Sequence, residues 1–235
     1  MKNFKTKIYL DGADFDSIIN FNKQKFIKGF TTNPSLMKKS GVKNYKKFCL
    51  KVLNNIKNKP VSFEVFADTE NEIKKQAHEI SCWGKNVFVK VPIQNTKGLD
   101  LTNLILELNN KGIKINVTAV FTLSQIKKLV SKVNNNTNII ISVFAGRIAD
   151  TGKDPEIIIK DIIKYSFKRK NIKILWASAR EIFNFYQANR SNCHIITLSE
   201  DLINKLKFYN KNLREFSKET SLMFYNDAKI AGFKL

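Results

Sequence analysis

Cysteine is scarce: Cys49, Cys82 and Cys193 are the only three in 235 residues, and they are far apart with no CxxC pair. An odd, scattered set argues against a disulfide framework and for reduced thiols in a cytoplasmic protein, where they serve as packing residues. Histidine is scarcer still, and His78 and His194 lack the paired ligand spacing that zinc requires, so no metal centre is expected. Neither a GxGxxG run nor a P-loop is present, so no nucleotide cofactor is implied. No apolar run approaches the length of a transmembrane helix. The first seven residues lead straight into Ile8-Tyr9-Leu10-Asp11 without the apolar segment of a signal peptide, and no membrane association is expected.

Acidic residues are few as well, 20 against 41 lysines and arginines, which leaves a formal charge of +21. That balance suits nucleic acid or an anionic surface. The lysines, however, are spread along helix-like segments, and no RNA-binding or zinc motif accompanies them. The expectation is a solvated basic surface with no nucleic-acid partner, one that steers phosphorylated metabolites inward.

What the chain does contain is alternation. β-Branched or aromatic runs occur at residues 7–11, 27–33, 61–66, 87–92, 113–121, 138–145, 172–178 and 194–198, separated by helical periodicity. Eight such runs with intervening helices predict one closed (β/α)8 barrel, whose strands are covered on both faces and so are almost wholly apolar. Tyr45, Phe48, Cys49, Val52, Leu53 and Ile56 mark one helix face. Thr69 and Glu72 have the spacing of a capping box ahead of Ile73, Ala77 and Ile80. Asp154, Pro155 and Glu156 open a helix carrying Ile158, Ile162 and Ile163. Residues 210–235 lie beyond the last strand and its helix. They are too apolar to hang free and are expected to pack on the barrel or on a neighbouring subunit.

Within the fourth run, Val87-Phe88-Val89-Lys90-Val91-Pro92, a lysine stands where an unpaired ammonium ion is not tolerated. Burial of an amine favours its neutral, nucleophilic form, the condition for attack on a carbonyl. Barrel enzymes build their sites at the C-terminal ends of the strands. Nearly every run places a polar residue there: Asp11, Thr31, Asn33, Glu64, Asn116, Thr118, Ser142, Arg147, Ser178 and Arg180. A lysine that makes an iminium, a carboxylate that takes a hydroxyl proton as a carbon–carbon bond breaks, and a second that relays protons through water form a coherent set. The arginines and serines suit a phosphate dianion.

Read as motifs, Leu10-Asp11, Gly29-Phe30-Thr31-Thr32-Asn33-Pro34-Ser35-Leu36, Val89-Lys90-Val91-Pro92, Ser142-Val143-Phe144-Ala145-Gly146-Arg147 and Ala177-Ser178-Ala179-Arg180 resemble the transaldolase family through nearly the whole chain. The resemblance implies a TIM barrel of the class I aldolase type with its Schiff-base lysine on the fourth strand. Lys90 lies on the fourth strand of the independent count. It further implies that Asp11 is the acid/base of retro-aldol cleavage and that Glu64 and Thr118 hold a proton-relaying water. Asn33 and Ser142, with Thr31 and Asn116, would contact the hydroxyls of a bound dihydroxyacetone unit, and Arg147, Ser178 and Arg180 would bind phosphate.

The reaction so implied, in the pentose phosphate pathway, moves that unit from a ketose phosphate such as sedoheptulose 7-phosphate or fructose 6-phosphate to an aldose phosphate. The related fructose-6-phosphate aldolases resemble each other in having Gln where this chain has Glu64 and Tyr where it has Phe144, so both positions favour transfer. Compact members of the family commonly assemble into homo-oligomers through the C-terminal segment. Two competing readings are a non-catalytic sugar-phosphate binder and a barrel with an RNA-binding sideline.

Overall fold

The computed structural model describes residues 4–234, and the chain divides into two compact units, Met1–Ile203 and Asn204–Leu235. In the first, eight parallel strands close in sequence order into a barrel. They are β1 (Lys7–Asp11), β2 (Ile27–Thr31), β3 (Val61–Glu64), β4 (Val87–Pro92), β5 (Ile115–Val120), β6 (Ile139–Val143), β7 (Ile172–Trp176) and β8 (Ile195–Leu198). All eight predicted runs are strands, trimmed where their ends turn into loops or helix caps. Thr32 and Asn33 leave β2 this way, because the Asn33 side chain accepts from Leu36 N–H at 2.9 Å and opens the helix Pro34–Lys39.

Helices cover the outside of the barrel, so β6 is buried at every position. Inside, Tyr9, Ile140, Leu175, Ala177 and Ile195 pack together, with Phe88 and Phe144 against them. Tyr9, Ile140 and Ile195 each stand two residues before a polar group on the same strand face, so this cluster is the apolar floor of the site. Gly29 makes room for it. A side chain there would place Cβ 2.5 Å from the Tyr9 ring.

The helix signals hold with local corrections. The helix Tyr45–Asn55 buries Cys49, Val52 and Leu53. Thr69 caps Glu70–Ser81 by accepting from Glu72 N–H, but its hydroxyl donates to the Glu72 carboxylate at 2.6 Å, so the reciprocal half of a capping box is not formed. The helix Pro155–Ser166 is most deeply buried at Ile159 and Ile162, and Ile158 and Ile163 flank that line half-buried. Its first turn carries a buried Glu156, which takes a two-pronged ion pair from Arg190 at the end of Phe183–Arg190. Cys49 and Cys193 are buried as packing residues, whereas Cys82 is exposed. His194 is structural: its Nδ1 accepts from Ile174 N–H at 3.0 Å, and burial lowers its pKa.

The second unit, Asn204–Leu235, holds the helix Leu213–Ile230, capped by the Asn212 side chain. Phe208 and Phe216 stack at 5.4 Å, with Lys211 over both rings and paired with Glu219. Leu222, Met223, Phe224 and Tyr225 on this helix are exposed.

Candidate active site

Lys90 is 8% exposed. The structure gives this amine two partners. Nζ donates to the Thr32 carbonyl at 2.6 Å and to Glu64 Oε2 at 3.0 Å. Glu64 and Lys90 are register partners across β3 and β4, and both side chains point into the barrel.

Asp11, the register partner of Thr31, faces inward from β1. It accepts from Thr31 Oγ1 at 2.7 Å, and Thr31 Oγ1 lies 2.6 Å from Thr197 Oγ1. The single Thr31 hydroxyl proton goes to Asp11, so Thr197 donates to Thr31 and the three groups form one directed line. Burial raises the Asp11 pKa above its ordinary value. The nearby Lys90 charge and the Thr31 hydrogen bond oppose that rise, and Glu64 adds to it.

A second polar line crosses the floor: Ser142 Oγ donates to Asn116 Oδ1 at 2.7 Å, and Asn116 Nδ2 donates to Ser62 Oγ at 3.1 Å. Ser142 reaches the cavity, whereas Asn116 lies behind it, fully buried and outside the cavity lining. Thr118 does reach the cavity. The register between β5 and β6 slips around it, between Val117 and Val120, where the adjacent Ala119 adopts a left-handed φ of 54°.

On the other side, Phe144 and Arg147 stand where β6 enters the short helix Ala145–Ala149, with the guanidinium 5.7 Å from the phenyl centroid. Ser178 follows β7 at a left-handed φ of 61°. Its carbonyl lies so close to Gly146 that a Cβ there would stand 1.6 Å from the oxygen. Gly146 is therefore what lets the two phosphate-suited loops meet. Arg180 is not part of this wall. It donates to Asp150 at 2.6 Å, in an exposed pair one turn beyond Arg147.

All eight strands contribute to one cavity of about 520 Å³, through Asp11, Thr31, Glu64, Lys90, Thr118, Ser142, Leu175 and Thr197. Asn33, Phe144, Arg147 and Ser178 complete the predicted residues on its wall. Sequence reasoning missed Thr197, though a lone hydroxyl in Ile195-Ile196-Thr197-Leu198 was a readable signal. It also missed Tyr45, whose hydroxyl touches the Glu64 backbone. Among the described residues, no group of three or more His, Cys, Asp or Glu could hold a metal ion, and no helix is long and apolar enough to cross a membrane. An amine between two carboxylates, ringed by hydroxyls and opened toward a serine and an arginine, equips the cavity for carbonyl addition and proton transfer on a phosphorylated polyol.

Residues 8–232 match the family described as "Transaldolase/Fructose-6-phosphate aldolase". A "Probable transaldolase" of Herpetosiphon aurantiacus is 34% identical over 202 residues, 85% of this chain and 86% of that protein. One of Methanococcus maripaludis is 32% identical over 201 residues, 85% of this chain and 89% of that protein. Among solved structures, the tryptophan synthase alpha subunit of Campylobacter jejuni superposes with a TM-score of 0.53 at 16% identity, covering 85% of this chain and 88% of that one. That last likeness concerns the fold alone.

Proposed function

The chain belongs to the transaldolase/fructose-6-phosphate aldolase family, and on that premise we propose that it is a cofactor-independent transaldolase working through a Schiff base on Lys90. The observation that carries this reading is the convergence of all eight strand ends on one cavity that holds the Lys90 amine, with Glu64 at 3.0 Å from it and Asp11 on the same wall.

In the proposed cycle, the Lys90 amine adds to the C2 carbonyl of a ketose phosphate, and loss of water leaves an iminium. Asp11, made more basic by burial, takes the C4 hydroxyl proton. The C3–C4 bond breaks, its electrons flow into the iminium to leave an enamine, and the aldose phosphate departs. The enamine carbon then attacks the aldehyde of an acceptor aldose phosphate, Asp11 returns its proton to the new hydroxyl, and water releases the ketose product. Glu64 and Thr118 hold the water that carries protons at C2. Thr197 and Thr31 orient the Asp11 carboxylate. Asn33 and Ser142 hold the dihydroxyacetone hydroxyls, and Asn116 aims Ser142 from behind. Arg147 and Ser178 receive the phosphate, and Arg180 joins them on leaving Asp150.

Sedoheptulose 7-phosphate and fructose 6-phosphate are the proposed donors, with erythrose 4-phosphate and glyceraldehyde 3-phosphate as acceptors, in the cytoplasmic pentose phosphate pathway. Glu64 and Phe144 support transfer over free cleavage, because Phe144 has no hydroxyl with which to hydrate or protonate the enamine. The apolar residues exposed along Leu213–Ile230 support a homo-oligomer assembled through this helix. Neither nucleic acid nor a membrane is part of the proposal. The test is product analysis with fructose 6-phosphate and erythrose 4-phosphate. Sedoheptulose 7-phosphate as the main product supports transfer, and accumulation of free dihydroxyacetone identifies an aldolase instead.

A further inference from the structure

The upper end of β3 shows an exchange of hydrogen bonds that nothing in the predicted chemistry requires. Odd-numbered residues of β3 face β4: Val61 N–H donates to the Asn86 carbonyl and Val65 N–H to the Lys90 carbonyl. Even-numbered residues face β2, which supplies Phe30 N–H to the Pro60 carbonyl at 2.9 Å and Thr32 N–H to the Ser62 carbonyl at 3.2 Å. Continued by one step, this ladder would send Glu64 N–H to the Thr32 carbonyl, and residue 34 N–H to the Glu64 carbonyl. Neither bond exists. Residue 34 is a proline with no N–H to give, and the Thr32 carbonyl is taken by Lys90 Nζ.

A single hydroxyl replaces both missing partners. Tyr45, in the first turn of Tyr45–Asn55, accepts from Glu64 N–H at 2.8 Å and donates to the Glu64 carbonyl at 2.7 Å. Its ring is fixed edge-on to Phe66 at 5.1 Å and tilted against Trp83 at 6.1 Å. Resting on the reading of Lys90 as the imine-forming amine, we propose that Tyr45 is a positioning residue: it holds the β2–β3 ladder open so that the Thr32 carbonyl serves Lys90.

The hydroxyl does two things at once. It anchors the backbone of the residue whose carboxylate pairs with Lys90, and it satisfies the donor that would otherwise compete for the acceptor of Lys90. Without it, Glu64 N–H is a donor lacking a partner, and the acceptor next in the ladder is the Thr32 carbonyl. Closing that bond draws the Thr32 carbonyl into the ladder and makes Nζ share, and so weakens, one of its two anchors.

The test compares Tyr45→Phe, which removes only the hydroxyl, with Trp83→Phe, which loosens the same aromatic cluster without touching Glu64. Both are checked for folding by circular dichroism. The rate of borohydride trapping of dihydroxyacetone on Lys90 and the dissociation constant for inorganic phosphate are then measured. Expected for Tyr45→Phe is trapping at least about tenfold slower with phosphate affinity within about twofold, and for Trp83→Phe trapping within about twofold of the parent chain. Parent-like trapping in Tyr45→Phe, or equal slowing in both variants, overturns the proposal. No adduct on the parent chain rejects the imine reading instead. In that case a crystal structure of Tyr45→Phe decides the geometry: Glu64 N–H on the Thr32 carbonyl supports the proposal, and an unchanged Lys90–Thr32 contact overturns it.

Discussion

Gly146→Ala adds one methyl group where the loops after β6 and β7 meet. The new Cβ would lie 1.6 Å from the Ser178 carbonyl oxygen, 2.8 Å from its carbon and 3.1 Å from its Oγ. Carbon and carbonyl oxygen rest at about 3.3 Å or more, so the two loops must part by roughly 1.7 Å. No flexible side-chain tip can absorb this, because the obstacle is backbone. Overpacking of this kind costs about 1–3 kcal/mol of stability, reduced slightly by the better helix propensity of alanine. The greater loss is geometric, since a hydrogen bond does not survive a displacement of this size. If Ser178 leaves the phosphate, a charge-assisted bond worth about 1.5–3 kcal/mol goes with it, equivalent to roughly 10- to 150-fold in KM. The assay compares KM for fructose 6-phosphate with KM for fructose, alongside the melting temperature. The expected variant loses its preference for the phosphorylated sugar and keeps slow turnover of the plain one. An unchanged preference together with an unchanged melting temperature would refute both the contact and the phosphate assignment.

Three further perturbations bear on the same structure. Lys90→Met should lower turnover by at least about 10⁴-fold while circular dichroism and gel filtration remain those of the parent chain; normal turnover would reject the mechanism. Asp11→Asn should abolish transfer yet stabilise the fold at neutral pH. The folded pKa of Asp11 is raised, so its ionisation penalty is absent below the unfolded value near about 3.9 and grows as pH rises through the folded one. The gain in melting temperature should therefore vanish in acid, and a gain independent of pH would contradict the assignment. Arg190→Ala should lower the urea denaturation midpoint, because Glu156 is left buried with Lys160 at 3.6 Å as its remaining cation. Glu156→Gln, which leaves the exposed arginine in water, should cost less. The Arg190 hydrogen bond lowers the Glu156 pKa, so this stabilisation is complete above the unfolded carboxylate range near about 4.3 and is lost as pH falls. Equal costs for the two substitutions would contradict the pairing.

The barrel was legible because parallel strands covered on both faces leave apolar runs, and eight of them alternate with helical periodicity. Lys90, Asp11, Glu64, Thr118 and Ser142 were legible because each interrupts such a run at a strand end. Distances between elements were not. Nothing in the chain tells that Glu64 stands beside Lys90, that Asn116 lies behind Ser142, or that Arg180 turns to Asp150, because those facts depend on register and loop path. Tyr45 was hidden for a different reason: it fits the apolar face of its helix, so periodicity absorbed a residue whose hydroxyl points at the site. Glu156 reads as a first-turn acid, and only the fold shows it buried against Arg190.

The most direct test of the account is intact-protein mass spectrometry after incubation with fructose 6-phosphate and borohydride, followed by peptide mapping. A single reduced three-carbon adduct on Lys90, absent from Lys90→Met, is the predicted result. An adduct on another lysine, or none with fructose 6-phosphate or sedoheptulose 7-phosphate, would contradict Schiff-base transfer at this site.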